Sequence, residues 1–170
     1  MADVRLRPMS EDAYTAWRGQ AVADFAQGRE RSAGVTAVDA MADAQAEFDR
    51  LLPAGLDTPG THLFTALDAW SGAPVGMVWL AERGDGASRQ GFIYDILVSP
   101  QVRGQGYGRA LLSAVEAEAA RLGLPRIGLH VFGHNHVAIR LYETSGYVVT
   151  NLVMAKDLTP GAEDAAAKEG

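Results

Sequence analysis

Three glycines at alternate positions, in Arg103-Gly104-Gln105-Gly106-Tyr107-Gly108-Arg109, stand between an apolar run and a long amphipathic segment. The run before them, Phe92-Ile93-Tyr94-Asp95-Ile96-Leu97-Val98, reads as a buried strand, and residues 109–122 repeat their apolar positions at helical spacing. A strand that turns through glycines straight into a helix commits the chain to helices packed on a sheet. It also leaves backbone N–H groups open at a helix start, where the helix dipole favours an anion. Glycine permits the close approach and the dihedral angles such a turn demands. A phosphate-bearing ligand at this turn would decide what the chain does.

The 170 residues suffice for one domain with a proper core, and 48% of them are hydrophobic. The expectation is a single domain over residues 1–158, followed by a disordered tail over 159–170 whose composition is small, polar and alanine-rich. No apolar run approaches a membrane span, and residues 1–10 lack an apolar signal core, so a cytoplasmic protein is expected. Heavy use of alanine, glycine and arginine suggests a bacterial source. With no cysteine, disulfides, thiolate metal sites and cysteine nucleophiles are excluded. The net charge of −6 argues against a broad nucleic-acid surface and suits a cationic substrate such as an amine.

Val4-Arg5-Leu6-Arg7 alternates like a short edge strand ended by Pro8. Ser10 then reads as a cap for a helix carrying Tyr14, Trp17, Ala21 and Phe25, with Gly28 as its stop and residues 29–34 as a loop. Thr36 and Asp39 resemble a capping pair for a second helix with an apolar face of Val38, Met41, Ala44, Phe48 and Leu51. Three strands follow, over residues 62–68, 75–81 and 90–99. Beyond the glycine turn, the pattern predicts a helix to about residue 122, a strand over 126–132, a short helix over 135–145 closed by Gly146, and a last strand over 147–154. The order β-α-α-β-β-β-α-β-α-β implies an α/β (α+β) fold: a mixed sheet with helices on both faces.

Two familiar phosphate loops fail here. A Walker A loop needs Lys-Ser or Lys-Thr at its end, and Gly108 is followed by Arg109-Ala110. A Rossmann fingerprint needs its third glycine where Arg109 stands, and it belongs to the first βα unit. Arg103-x-x-Gly106-x-Gly108 after a strand instead resembles the pyrophosphate loop of the GNAT acyltransferase superfamily, which binds acetyl-coenzyme A. A second block, Asn135-x-x-Ala138-x-x-Leu141-Tyr142-x-x-x-Gly146-Tyr147, is similar to that superfamily's downstream motif. The run from Ile93 through Tyr147 is similar to a bacterial subgroup of uncharacterised GNAT proteins. The resemblance covers nearly all of residues 4–157 and implies a mostly antiparallel sheet with a splayed parallel central pair.

The resemblance implies that main-chain N–H groups of Arg103, Gly104, Gln105, Gly106, Gly108 and Arg109 hold the coenzyme pyrophosphate. The Arg103 and Arg109 side chains either add charge there or face solvent. Leu97 and Val98 would hydrogen-bond the pantetheine arm through their backbone, their side chains being core. Asn135 would cap the following helix, touch the pantetheine arm, or both. Tyr142 stands where the superfamily often places the general acid that protonates the leaving thiolate; the alternative is a packing residue. Asp95 is the odd residue of the buried strand. It either deprotonates or holds the acceptor amine, or makes a structural hydrogen bond.

His130, His134 and His136 lie within seven residues, but they span a strand end and a turn with no local carboxylate, so no metal is expected. His130 or His134 is an alternative base. Tyr14 and the 29–34 loop are candidates to touch the acceptor. The overall expectation is an acetyl-coenzyme A-dependent N-acetyltransferase acting on a small-molecule or peptide amine in a ternary complex, without nucleic-acid or membrane partners. Dimers are common in the superfamily, so a homodimer is allowed. The rival readings are a non-catalytic acyl-coenzyme A sensor, transfer of another acyl group or to a hydroxyl, and, more distantly, an adaptor.

Overall fold

The structure, a computed structural model, describes residues 1–33, 35–154, 156 and 158. The expected tail at 159–170 lies outside them. The chain falls into two compact units, residues 1–135 and 136–170.

In the first unit, β1 (Val4–Pro8), β2 (Thr61–Asp68), β3 (Pro74–Arg83), β4 (Gln90–Val98) and β5 (Ile127–Leu129) form one sheet in sequence order. The first three pairings are antiparallel and β4–β5 is parallel. Trp79 pairs with Asp95 and the next residue of β3, Leu80, pairs with Ile93, so Tyr94 is an extra residue in β4. Such a bulge bends the strand and resets which side chains face which way. On the other side, the parallel ladder with β5 runs only from Gly91↔Ile127 to Ile93↔Leu129. Beyond Ile93 the two strands part. Among the described residues the parallel pair closes the end of the sheet instead of lying at its centre, as the resemblance had implied.

Helices α1 (Glu11–Ala33) and α2 (Ala37–Leu51) cover one face. Trp17, Val22 and Ala26 of α1 and Ala40, Ala44 and Phe48 of α2 bury against Leu63, Met77 and Trp79. Trp17 meets Trp79 edge-on at 5.5 Å, and Phe48 lies 5.7 Å from the same indole. Helix α3 (Tyr107–Arg121) contributes Leu111, Leu112, Val115 and Ala119 to the core and touches β1, β3 and β4. Strand alternation turns Val78 and Leu80 away from Trp79, and both are fully buried.

Local signals set several ends. Thr36 caps α2, its hydroxyl accepting from the Asp39 N–H at 3.2 Å, and Ser10 accepts from the Ala13 N–H at 3.3 Å. Gly28 does not stop α1, which runs through to Ala33, and most of the expected 29–34 loop is therefore helix. Gly28 keeps a negative φ and lies against the Phe132 ring, while Arg29 pairs with Asp43 of α2 at 3.0 Å. These contacts outweigh the roughly 1 kcal/mol a helical glycine costs. The strand expected over 126–132 is reduced to Ile127–Leu129, because β4 bends away past Ile93.

The second unit holds α4 (His136–Glu143), closed at Gly146 by a bond from the Tyr147 N–H to the Tyr142 carbonyl of 3.0 Å. Residues 147–154 form no strand, contrary to the sequence pattern. Their β-branched residues favour extension, but the described part of this unit offers no second strand to complete a ladder. No helix among the described residues is long and apolar enough to cross a membrane.

Candidate active site

The glycine turn follows β4 through a short 3₁₀ turn at Pro100–Val102. Gly104 and Gly106 take φ of +75° and +90°, and Gly106 is the N-cap of α3. No side chain caps the helix start there, and a Cβ built at Gly104 would meet nothing within 4 Å. The space beside Gly104 is open on the side where a side chain would stand, next to the start of α3. Arg103 turns its side chain back, Nε donating to the Val98 carbonyl at 3.1 Å, so it fastens the end of β4 to the turn. The Gln105 amide donates to the Gln101 carbonyl at 3.2 Å.

A second fastening was not visible in the sequence. The Tyr107 hydroxyl, on the first turn of α3, donates to Asp68 Oδ2 at 2.8 Å. Asp68 also accepts from the Ser71 N–H and hydroxyl at 2.8 and 2.7 Å and from the Trp70 N–H at 3.3 Å. The Ser71 backbone, then the Ser71 and Tyr107 hydroxyls, hold the Asp68 carboxyl down to about 2. The β2–β3 turn therefore anchors the start of α3 by an anion that stays charged. An acidic residue closing a strand before Ser71-Gly72 was the only available hint.

Past the bulge, one edge of β4 is paired by no strand among the described residues. Ser99 donates to the Val75 carbonyl at 2.9 Å, and the Leu97 carbonyl comes so near Gly76 that a Cβ there would collide with it. Only glycine fits at residue 76. Both contacts face β3, so alternation turns the peptide groups of Ile96 and Val98 towards the edge that β5 has left. Of the two residues expected to meet a pantetheine arm, Leu97 aims its carbonyl at β3 and Val98 lies on the open edge. Ile96 joins Val98 there, which required knowing the bulge.

The bulge also sends two successive side chains to one face. Tyr94 stacks on Trp79 with ring centroids 4.5 Å apart, and Asp95 Oδ2 accepts from Trp17 Nε1 at 2.9 Å. Burial pushes the Asp95 carboxyl above the ordinary carboxylate range, against the Trp17 and Ile96 N–H groups, which pull it down. Asp95 is thus a half-buried carboxyl group oriented by the Trp17 indole and the Ile96 N–H, with a raised affinity for a proton.

The other expected residues belong to other segments of the chain. His130, Phe132 and His134 form a ring series at 5.4 and 5.6 Å, and no group of three or more His, Asp or Glu among the described residues could hold a metal. Tyr14 lines an open cleft of about 470 Å³ with Thr15, Arg18, Gly19, Asp49 and Leu52, and a second of about 430 Å³ lies along Met9, Leu56, His62 and Phe64. Neither includes the glycine turn or Asp95. Asn135 ends the first unit. In the second, Tyr142 lies on α4 with its ring 5.7 Å from that of Tyr147. Arg109 sits in the first turn of α3 and His136 begins α4.

A mostly antiparallel sheet ending in a parallel pair, with a glycine turn leading from its fourth strand into a helix, defines the class of fold. The model of the Acetyltransferase (GNAT) family matches residues 20–147. YycN of Bacillus subtilis (strain 168), called an uncharacterized N-acetyltransferase, is 31% identical over 155 residues, covering 91% of this chain and 99% of its own. YdgE of the same organism, described in the same words, is 31% identical over 153 residues, covering 90% and 97%. The crystal structure of YycN matches with a TM-score of 0.86 at 30% identity, over 92% of this chain and 99% of that one. The aminoglycoside N-acetyltransferase AAC(6')-Iy, solved with CoA, shares the fold, with a TM-score of 0.58 and 18% identity over 92% and 95%. This chain belongs to the GNAT family and is an acetyltransferase.

Proposed function

We propose that the chain moves an acetyl group from acetyl-coenzyme A to a primary amine, by direct attack in a ternary complex. The observation that carries this reading is the bulge at Tyr94. It places a half-buried carboxylate, Asp95, beside a strand edge that has no partner strand among the described residues. Bound there, acetyl-coenzyme A would supply the thioester whose C–S bond breaks as the new C–N bond forms.

The residues of the chain divide the work. N–H groups of Gly104, Gln105, Gly106, Gly108 and Arg109 face the pyrophosphate, with Arg103 fixing the turn from behind through Val98. Ile96 and Val98 hold the pantetheine arm as a neighbouring strand would, and an N–H on that edge polarises the thioester carbonyl. Asn135 adds a contact to the arm. Asp95 takes the proton that an alkylammonium must lose before its nitrogen can attack. Tyr142 returns a proton to the departing thiolate, a transfer near balance for ordinary values of about 10 for a phenol and about 8.5 for a thiol. Residues 1–158 act as one catalytic domain.

Acetyl-coenzyme A should raise the melting temperature, and free thiol should appear when an amine panel is added. Absence of any shift at millimolar coenzyme refutes the reading. A shift without thiol release from any amine favours a sensor that binds without turnover.

A further inference from the structure

Arg83, the last residue of β3, is held against two aromatic rings. Its guanidinium carbon lies 3.6 Å from the centre of the Phe92 ring and 4.5 Å from that of Tyr94. Its Nε and Nη2 both donate to the Tyr94 hydroxyl, the first at 3.0 Å. Tyr94 is itself fixed by its stack on Trp79, so the fork rests on a rigid aromatic step. Ordering a long exposed side chain loses rotamer freedom, which the charge-assisted bonds to the phenol and the contacts with the two rings offset. Among the described residues no carboxylate pairs with Arg83. Glu47 feels its charge, but Glu47 gives both oxygens to Arg50, at 2.9 and 2.7 Å. A guanidinium has five N–H donors, so most of the fork remains for a planar anion.

The local charge points the same way. Arg29, Arg50 and Arg83 all act on Glu47; Arg29 is paired with Asp43 and Arg50 with Glu47, so of the three Arg83 is the one without a carboxylate among the described residues. Arg83 reaches this place through Tyr94, the neighbour of Asp95 on the bulge, and both side chains share one face of the sheet. A carboxylate to receive an amine and a guanidinium to receive a carboxylate thus lie on one face of the sheet, linked by Tyr94, whose hydroxyl the guanidinium holds and which precedes Asp95 in the strand.

We propose that Arg83 and Asp95 bracket a zwitterionic acceptor, so that the amine acetylated belongs to an amino acid whose carboxylate is read by Arg83. This rests on the acetyl-transfer reading above and narrows it to an acceptor class. The ammonium gives its proton towards Asp95, its nitrogen forms the amide as the thioester C–S bond breaks, and the carboxylate stays intact on Arg83.

The test is calorimetric titration of the common L-amino acids, each beside its carboxamide, into the protein with and without coenzyme A. Carboxamides are the more easily deprotonated amines, so intrinsic reactivity favours them and a preference for the acid reports the site. Amino acids are expected to bind at least tenfold tighter than their carboxamides, and Arg83→Gln should remove that difference. Arg83→Lys should restore part of it, and Tyr94→Phe, which frees the fork, should lose part. The coenzyme-induced rise in melting temperature should be the same in all three variants. The proposal is overturned if no amino acid binds, if carboxamides bind as tightly, or if Arg83→Gln keeps the preference. If the preference holds and Arg83 carries it, but no thiol is ever released from acetyl-coenzyme A, acetyl transfer is refuted while the amino-acid site stands.

Discussion

Gly106→Ala isolates the contribution of one dihedral angle to ligand binding. Gly106 holds φ +90° and ψ −6° at the head of α3, and a Cβ there would meet only the Ala2 methyl at 3.5 Å, an ordinary contact. The added methyl therefore clashes with nothing, and its cost is torsional, about 1–2 kcal/mol for an L-residue in this region. In a chain of this length each kcal/mol moves the melting temperature by about 2–4 °C, so the expected fall is about 2–8 °C. Acetyl-coenzyme A at a hundred times its dissociation constant adds about 2.7 kcal/mol to the native state.

The variant has two ways to bear the strain. If the turn keeps its shape, the free protein melts lower and affinity is unchanged. If the free turn relaxes to negative φ, the free protein melts near wild type, and the ligand must restore the strained form. Affinity then falls about five- to thirtyfold. A tenfold loss at the same coenzyme concentration roughly halves the stabilisation, to about 1.4 kcal/mol. In both cases the bound protein carries the strain, so the melting temperature with coenzyme present drops by the full amount. Scanning calorimetry with and without acetyl-coenzyme A reads both quantities. A coenzyme-loaded variant that melts within a degree of loaded wild type would show that the ligand does not need this turn conformation, and the pyrophosphate assignment would fall with it.

Asp95→Asn should separate stability from turnover. Burial raises the folded carboxyl above its unfolded value, so ionising it opposes folding as pH rises through the folded value. Asparagine still accepts from Trp17 Nε1 without the charge, so the variant should melt higher than wild type at neutral pH. Its kcat should fall about a hundredfold or more, and the acidic limb of the pH–rate profile should vanish; an unchanged limb assigns the base elsewhere. Tyr142→Phe should lower kcat by a similar factor while leaving the coenzyme-induced melting shift intact, and an unchanged kcat removes the phenol from the reaction. Tyr107→Phe should weaken acetyl-coenzyme A binding through the turn it anchors. It should also move acid unfolding to higher pH: Asp68 stabilises the fold above its unfolded value near 3.8 and ceases to as pH falls through about 2, and losing the hydroxyl raises that lower limit. Unaltered acid unfolding would disconnect Tyr107 from Asp68.

The legible parts of this chain are those whose physics is local. The Thr36–Asp39 cap, the Gly146 stop and the glycine turn are each decided within a few residues, and each appears in the structure where the pattern placed it. Gly28 misled because a helix tolerates glycine when distant contacts, here Phe132 and Asp43, favour its continuation. The pairs that build the candidate site span 11 residues for Arg83–Tyr94, 39 for Asp68–Tyr107 and 78 for Trp17–Asp95. No spacing rule reaches across such intervals. Asp95 could be singled out as an acidic residue in an apolar strand, but its indole partner and its upward shift depend on the tertiary packing of α1 against β3.

The bulge explains why Asp95 and the open backbone edge occur together. Without the extra residue, strict alternation would put Tyr94 and Asp95 on opposite faces, one against α1 and the other beneath α3. The same residue changes which peptide groups face β3. Before it, Gly91 donates towards β5, to the Arg126 carbonyl at 2.8 Å; after it, odd-numbered residues such as Ser99 donate to β3 instead. The even-numbered Ile96 and Val98 are left facing the gap that opens where β5 departs. One inserted residue therefore aligns the Asp95 side chain, the aromatic seat of Arg83 and the strand edge that no described strand pairs. Shifting the register by a single position would undo all three at once, although every residue type in the strand stayed the same.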